Sequence, residues 1–259
     1  MPRFRILTPA GASFTTAGGD YAYEMEALTV LDAEIIECPP TEGGFIAAAK
    51  GVDAVYAKGM TFTTAMINAL DRCRIIALGS VGVDYVDVAA ATAKGIPVTN
   101  CPDTFIEEVA DHTMMLILAT HRRAIEQDRM VRSGRWSEGR PQLSQVPRLM
   151  GLALGFIAFG RVARAVAERA RPFGLRLMAY DPFVDELVVS GARVEPTSLS
   201  DLLARSDFVS IHMPATPEAQ GFLKEQHFRQ MKPSAIFINT GRGKTVNEAA
   251  LIKALQDKW

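Results

Sequence analysis

The chain has 259 residues, enough for two domains of ordinary size, each with its own core. Its 28 basic and 29 acidic side chains nearly cancel, which argues against a nucleic-acid or anionic-membrane surface. A hydrophobic content of 48% suits a water-soluble α/β protein, and the longest apolar runs, such as residues 114–119, are far short of a membrane span.

Residues 2–5 lead into a short strand-like run and a polar turn rather than a long apolar segment, so no signal peptide is read and the expected location is cytoplasmic. Cys38, Cys73 and Cys101 have neither disulfide-framework nor zinc-ligand spacing; they are read as buried or half-buried thiols, with no metal site.

From the start, short apolar runs alternate with helix-like segments. Residues 4–7, 34–38, 54–57, 75–78 and 97–99 read as strands, and 21–31, 45–50, 64–70 and 86–94 as helices. This alternation predicts a parallel sheet covered on both faces, forming a first domain over residues 1–100. After the fourth strand comes GSVGVDYVD, residues 79–87, a glycine-bearing loop ahead of a helix. Ligands gather at the carboxyl ends of strands in open α/β sheets, so Ser80, Val81 and Gly82 are candidates for holding an anionic substrate. Lys58, after the third strand, is a candidate for an added positive charge.

Residues 105–133 read as one long helix, opened by a Thr104/Glu107 capping-box spacing and apolar nearly all round in its middle. Such a helix must be buried, either between domains or against another subunit. Residues 134–148, broken by Pro141 and Pro147, read as a connection. The second domain is expected over residues 101–259.

Residues 152–182 follow the order strand, tight turn, helix, strand, acid. Gly160 lacks a Cβ, so a pyrophosphate can approach the backbone at the positive end of a helix, and Ala163 is small enough for that helix to pack on its strand. Asp181 falls about 20 residues on, where an acid accepts both ribose hydroxyls of NAD and would repel a 2′-phosphate. Ala158 stands where the first fingerprint glycine is normal. Alternation then resumes, with strands at 208–211 and 235–239 and helices at 199–205 and 224–231. Two further strand-end loops follow. HMPATPE, residues 212–218, is held extended by its prolines. NTGRGKTVNE, residues 239–248, carries Arg242 between two glycines, placed to grip a carboxylate with two hydrogen bonds.

In this order, GSVGVDYVD, NCPDTFIEEVADHT, GFIAFGRVARAVA with AYDP, IHMPATPE and INTGRGKTVNEAALIKAL resemble the motifs of the D-isomer-specific 2-hydroxyacid dehydrogenase family over nearly the whole chain. The resemblance implies two doubly wound parallel-sheet domains of the α/β class, a flavodoxin-like substrate domain and a Rossmann domain binding NAD. It implies hydride transfer between nicotinamide and a D-2-hydroxy acid or its 2-keto acid. Val81, Arg161, Val162, Asp181, Met213 and Thr240 would line the NAD site, together with Ala158, Phe159 and Gly160 of the turn and His212, Pro214, Gly241 and Arg242 of the later loops. Ser80, Val81 and Gly82 would contact the substrate carboxylate, and Arg242 would be the catalytic arginine. A homodimer is the expected assembly.

The family's proton-donating histidine and its glutamate lie well beyond the catalytic arginine. Neither His112, His121, His212 nor His227 matches that histidine, so the chain is expected to be incomplete at its C-terminus, with too few cofactor-sheet strands and an exposed sheet edge. Leu78 and Gly79 replace an arginine and an aromatic residue common in the family, which weakens the case for a phosphorylated substrate. The competing reading is a catalytically inactive NAD-binding fragment or corepressor-like protein; a formate- or phosphite-type dehydrogenase would share the fold and Asp181.

Overall fold

The computed structural model describes residues 4–11, 21–257 and 259. Pro2 and Arg3, on which the absence of a signal peptide is read, lie outside these. The chain divides into two compact units, Met1–Thr104 and Phe105–Trp259, each with a parallel five-stranded sheet.

The first unit runs β1 (Phe4–Pro9), α1 (Ala22–Leu28), β2 (Ala33–Cys38), α2 (Glu42–Ala48), β3 (Ala54–Ala57), α3 (Thr64–Ala69), β4 (Ile75–Leu78), α4 (Val88–Ala93) and β5 (Val98–Thr99). Its strand order, β2-β1-β3-β4-β5, is the flavodoxin-like doubly wound order. The alternating apolar runs form these strands because helices cover both faces: Phe45 of α2 meets Phe62 edge-on at 5.4 Å, and Met66 and Ile67 of α3 are buried with Val55 and Ile76. Thr41, Thr63 and Asp87 cap α2, α3 and α4 by accepting from backbone N–H groups in their first turns.

The second unit runs α5 (Ile106–His121), α6 (Ala124–Arg132), α7 (Trp136–Ser144), β6 (Ala153–Ile157), α8 (Arg161–Ala170), β7 (Arg176–Tyr180), α9 (Glu186–Gly191), β8 (Glu195–Pro196), α10 (Leu199–Arg205), β9 (Phe208–Ile211), α11 (Glu225–Phe228), β10 (Ile236–Asn239) and α12 (Glu248–Asp257). The order β8-β7-β6-β9-β10 is the Rossmann arrangement, so the expected doubly wound α/β class is borne out. All five residues of β6 are buried, and α8 lays Ala163, Ala167 and Ala170 into a core shared with Ala110, Met114 and Ile117 of α5. Gly155 in β6 serves packing: a Cβ there would overlap Ser206 Oγ and lie 2.6 Å from Leu202 Cδ2.

The structure departs from the sequence expectations in several places. The long helix over 105–133 is two helices, broken where Arg123 takes a left-handed φ of 50°. Thr104 does not cap α5; its hydroxyl donates to Cys101 O at 3.3 Å, and Phe105 is the residue at the helix start. Residues 134–148 include α7, which continues through Pro141; near its end the Ser144 hydroxyl donates to the Pro141 carbonyl at 2.7 Å. Helices α9 and α12 and the two-residue β8 are additions to the elements expected. Cys101 is exposed, whereas Cys38 is buried and Cys73 half-buried.

Candidate functional site

In the second unit, three strand ends converge. Strand β6 stops at Ile157, and the chain turns through Ala158, whose φ of 70° is the left-handed conformation glycine adopts without strain. The turn is pinned on both sides: Ala158 N–H donates to Tyr180 O at 2.9 Å, and Phe159, fully buried, donates its N–H to Asp181 Oδ2 at 2.8 Å. The other oxygen of Asp181 accepts from Phe183 N–H at 2.8 Å. One carboxylate therefore ties the fingerprint turn to the loop after β7, and each oxygen retains a second lone pair for an incoming hydroxyl.

Gly160 starts α8, and a Cβ built on it would meet nothing within 4 Å. This open space lies over the first turn of a ten-residue helix that carries Arg161 and no acidic residue there. Backbone N–H groups at such a helix start are without intrahelical partners and lie at the positive end of the dipole, the arrangement that receives a pyrophosphate. Val162 is half-buried beside Ala163.

Next in the sheet, β9 ends at Ile211, and His212 N–H donates to Ile157 O at 2.9 Å, holding this loop against the fingerprint strand. The His212 ring packs 6.0 Å from Phe156, with Nε2 2.9 Å from Ser210 Oγ. Burial pushes its pKa down to about 4, so the ring is a neutral wall at physiological pH. Met213 and Pro214 continue the loop. Met213 O would lie 3.1 Å from a Cβ on Gly241, so the absence of a side chain there lets the loop after β10 pass this close without displacing its neighbour.

That loop is organised by Asn239, which sequence reasoning does not single out. Its Oδ1 accepts from Gly241 N–H at 3.0 Å and its Nδ2 donates to Arg242 O at 3.1 Å, while Thr245 Oγ1 donates to the same carbonyl at 2.7 Å. Arg242 is thus held by its backbone; its Nη1 also donates to Gly241 O at 3.2 Å. The Thr113 hydroxyl donates to Val109 O at 2.8 Å, so it accepts from Thr240 Oγ1 at 2.9 Å and fastens the loop to α5. A cleft of about 520 Å³ opens beside it, lined by Phe105, Glu108, Val109, His112 and Leu116 with Asn239 and Thr240. The sequence marks His112 only as a helix residue; its place on the same helical face as Glu108 is the signal that could have found the cleft.

In the first unit, Ser80, Val81 and Gly82 form the turn after β4. Ser80 Oγ lies 2.7 Å from Tyr85 Oη and donates to Gly82 O at 2.9 Å, while Asn100 Nδ2 donates to Val81 O at 2.7 Å. Val81 projects from this braced turn and is 38% exposed. Lys58 is not a surface cation: it is 7% exposed, donates from Nζ to Tyr21 Oη at 3.0 Å and sits 4.2 Å from the centre of the Tyr21 ring. Among the described residues no group of His, Cys, Asp and Glu could hold a metal ion, and no helix is long and apolar enough to cross a membrane.

Comparison with known proteins adds to this geometry. Residues 114–259 match the family model for the D-isomer specific 2-hydroxyacid dehydrogenase, NAD binding domain. The chain is 39% identical over 231 residues to a glyoxylate reductase of Korarchaeum cryptofilum, covering 88% of this chain and 70% of that relative. It is 36% identical over 217 residues to the D-3-phosphoglycerate dehydrogenase of Mycobacterium bovis, covering 83% of this chain but 40% of the relative. Among solved structures it is similar to the D-lactate dehydrogenase of Aquifex aeolicus complexed with NAD and lactic acid, with 29% identity, a TM-score of 0.83, and coverage of 98% of this chain and 74% of that one. The fingerprint turn, the acid after β7 and the arginine loop after β10 agree with these matches, and the chain belongs to the D-isomer-specific 2-hydroxyacid dehydrogenase family.

Proposed function

We propose that this chain performs the NAD-dependent oxidoreductase chemistry of its family, transferring a hydride between nicotinamide and a D-2-hydroxy acid or 2-keto acid. The observation that carries the reading is the convergence of the Ala158–Gly160 turn, Asp181 and the Arg242 loop at the carboxyl ends of neighbouring strands of one sheet. The bound dinucleotide supplies or accepts the hydride. Asp181 accepts the ribose hydroxyls, Gly160 and the first turn of α8 with Arg161 and Val162 face the pyrophosphate, and His212, Met213, Pro214, Thr240 and Gly241 form the remaining wall. Arg242 polarises the keto oxygen and orients the carboxylate, which Ser80, Val81 and Gly82 also contact.

In this reading Met1–Thr104 is the substrate domain and Phe105–Trp259 the cofactor domain, and the working protein is a cytoplasmic homodimer. The histidine and glutamate expected for the family are not matched in these residues, so proton delivery is assigned to a group outside them. The test is NADH titration followed by NADH oxidation with a panel of 2-keto acids. The reading predicts saturable NADH binding and Arg242-dependent turnover once the family's histidine segment is supplied from a relative. Absence of both would overturn it.

A further inference from the structure

The carboxyl ends of β2, β1 and β3 gather a set of side chains that carbonyl reduction does not use. Lys58 lies between the rings of Tyr21 and Tyr56, 4.2 and 5.3 Å from their centres. Tyr21 Oη receives the Lys58 proton at 3.0 Å and donates to Glu37 Oε1 at 2.5 Å. The charges of Glu24 and Glu37 both act on Lys58, and the Glu24 carboxylate lies beside the Tyr56 hydroxyl. One ammonium against two carboxylates leaves one negative charge in excess.

Two buried oxygens in this cluster accept from no donor among the described residues: Oε2 of Glu24, and the hydroxyl of Thr8, which is 0% exposed and directs its own proton toward Tyr21. An unsatisfied buried acceptor costs about 1–3 kcal/mol, so such a pair is retained only where something supplies donors. Tyr21 meanwhile holds a φ of 55°, a conformation costly for a bulky residue. The cluster reaches the surface through exposed Glu37 and the half-buried Tyr21, Glu24 and Tyr56. It also abuts the candidate substrate loop, since Tyr56 Oη would lie 2.6 Å from a Cβ on Gly79.

From this we infer that Thr8, Glu24, Glu37 and Lys58 form a specificity site for the far end of the substrate, taking a 2-hydroxy or 2-keto acid whose side chain ends in a hydrogen-bond donor, an ammonium best and a hydroxyl next, and rejecting one that ends in a carboxylate or phosphate. The inference rests on the family reading of the reaction. An ammonium neutralises the excess charge and donates to both orphaned acceptors. A hydroxyl donates to one of them without changing the charge. A second carboxylate adds to the excess charge and, having no proton, leaves the Glu24 oxygen unsatisfied.

The probes are D-4-amino-2-hydroxybutyrate, D-glycerate and D-malate, which share the 2-hydroxy acid head and differ at the far end. Their binding to the full chain is measured by calorimetry with and without saturating NAD. The amino acid should bind at least tenfold more tightly than D-malate, with D-glycerate between them. Glu24→Gln with Glu37→Gln should bring that ratio below threefold, and Thr8→Val should weaken D-glycerate more than D-malate. If the double variant fails to fold, Glu37→Gln alone, at an exposed position, should still lower the ratio. D-Malate binding as tightly as the amino acid, a ratio unchanged by the glutamate variants, or no binding of any probe would overturn the inference. Hydride transfer is not needed for this readout. A form supplied with the family's histidine segment that oxidises NADH with glyoxylate but does not rank the probes loses this inference alone, and one that ranks them without oxidising NADH loses the proposed reaction alone.

Discussion

The two sheets present their carboxyl edges differently. At the edge of the β6 sheet the polar work falls mainly to backbone groups: N–H donors at the start of α8, one carboxylate holding two turns, and a histidine kept neutral. At the edge of the β1 sheet it falls to side chains brought from three strands and a helix, with a buried ammonium among carboxylates and phenols. The first arrangement runs from Phe159 to His212, and its turns are braced by their own hydrogen bonds before a ligand arrives. The second exists only after Thr8, Tyr21, Glu24, Glu37 and Lys58 have been gathered from 51 positions of chain. A shared cofactor suits the first kind of surface, and a substrate that varies among relatives suits the second.

The largest expected effect at the backbone-built edge comes from Arg242→Ala. Losing a preorganised donor at a reacting oxygen costs roughly 10²- to 10³-fold in kcat. Steady-state kinetics on a turnover-competent form should show that loss, with the loop backbone kept in place by Asn239 and Thr245, which both donate to the Arg242 carbonyl. A loss confined to KM would mean that Arg242 only binds.

Next in size is Asp181→Ala, which removes the acceptor for both Phe159 N–H and Phe183 N–H. NADH affinity should fall by about tenfold or more, at roughly 1.4 kcal/mol per factor of ten, and the preference for NADH over NADPH should narrow. Fluorescence titration with both cofactors checks this; a wild-type chain that binds NADPH as tightly as NADH would remove its basis.

The neutral histidine gives a pH signature. The folded-state pKa of His212, about 4, lies below the ordinary 6.5, so between these values the unfolded chain takes up the proton more readily. The stabilisation is full above about pH 6.5 and is lost as the pH falls through 4. Urea unfolding at pH 7.5 and pH 4.5 should differ by about 1–3 kcal/mol from this group, since each tenfold change in proton affinity is worth about 1.36 kcal/mol. His121, whose pKa is also lowered by burial, adds to the slope. His212→Gln should flatten the slope by its own share, and an unaltered slope would show that the ring is hydrated.

The smallest effect is at the turn. Ala158→Gly should relieve left-handed strain of about 1 kcal/mol, raising the melting temperature by a few degrees and tightening NADH modestly. Unchanged or weaker NADH affinity would mean that the surrounding loop has adapted to the methyl group.

These contrasts also explain what can be read from the sequence. The fingerprint is legible because its logic is local: a strand, a turn that needs φ above zero, a helix start and an acid at fixed spacing. Ala158, a methyl group where glycine is normal, takes a φ of 70°. The break at Arg123 is not legible, because an arginine gives no left-handed signal and the apolar period runs on through it. Helix α7 is hidden by Pro141, whose missing N–H is tolerated in a helix of nine residues. Lys58 can be named but not understood, since Tyr21, Glu24 and Glu37 reach it from the start of α1, α1 itself and β2.

The double hold of Asp181 bears on any effort to convert this chain to NADP use by design. Removing the acid to admit a 2′-phosphate also unties two loops, so a charge swap alone would be judged by a protein whose cofactor turn had been loosened. Asparagine keeps one acceptor but turns an amide donor toward the other N–H. A converted protein therefore needs a new brace for Phe159 or Phe183 built alongside the new phosphate contact, and the order of mutations matters: brace first, charge second.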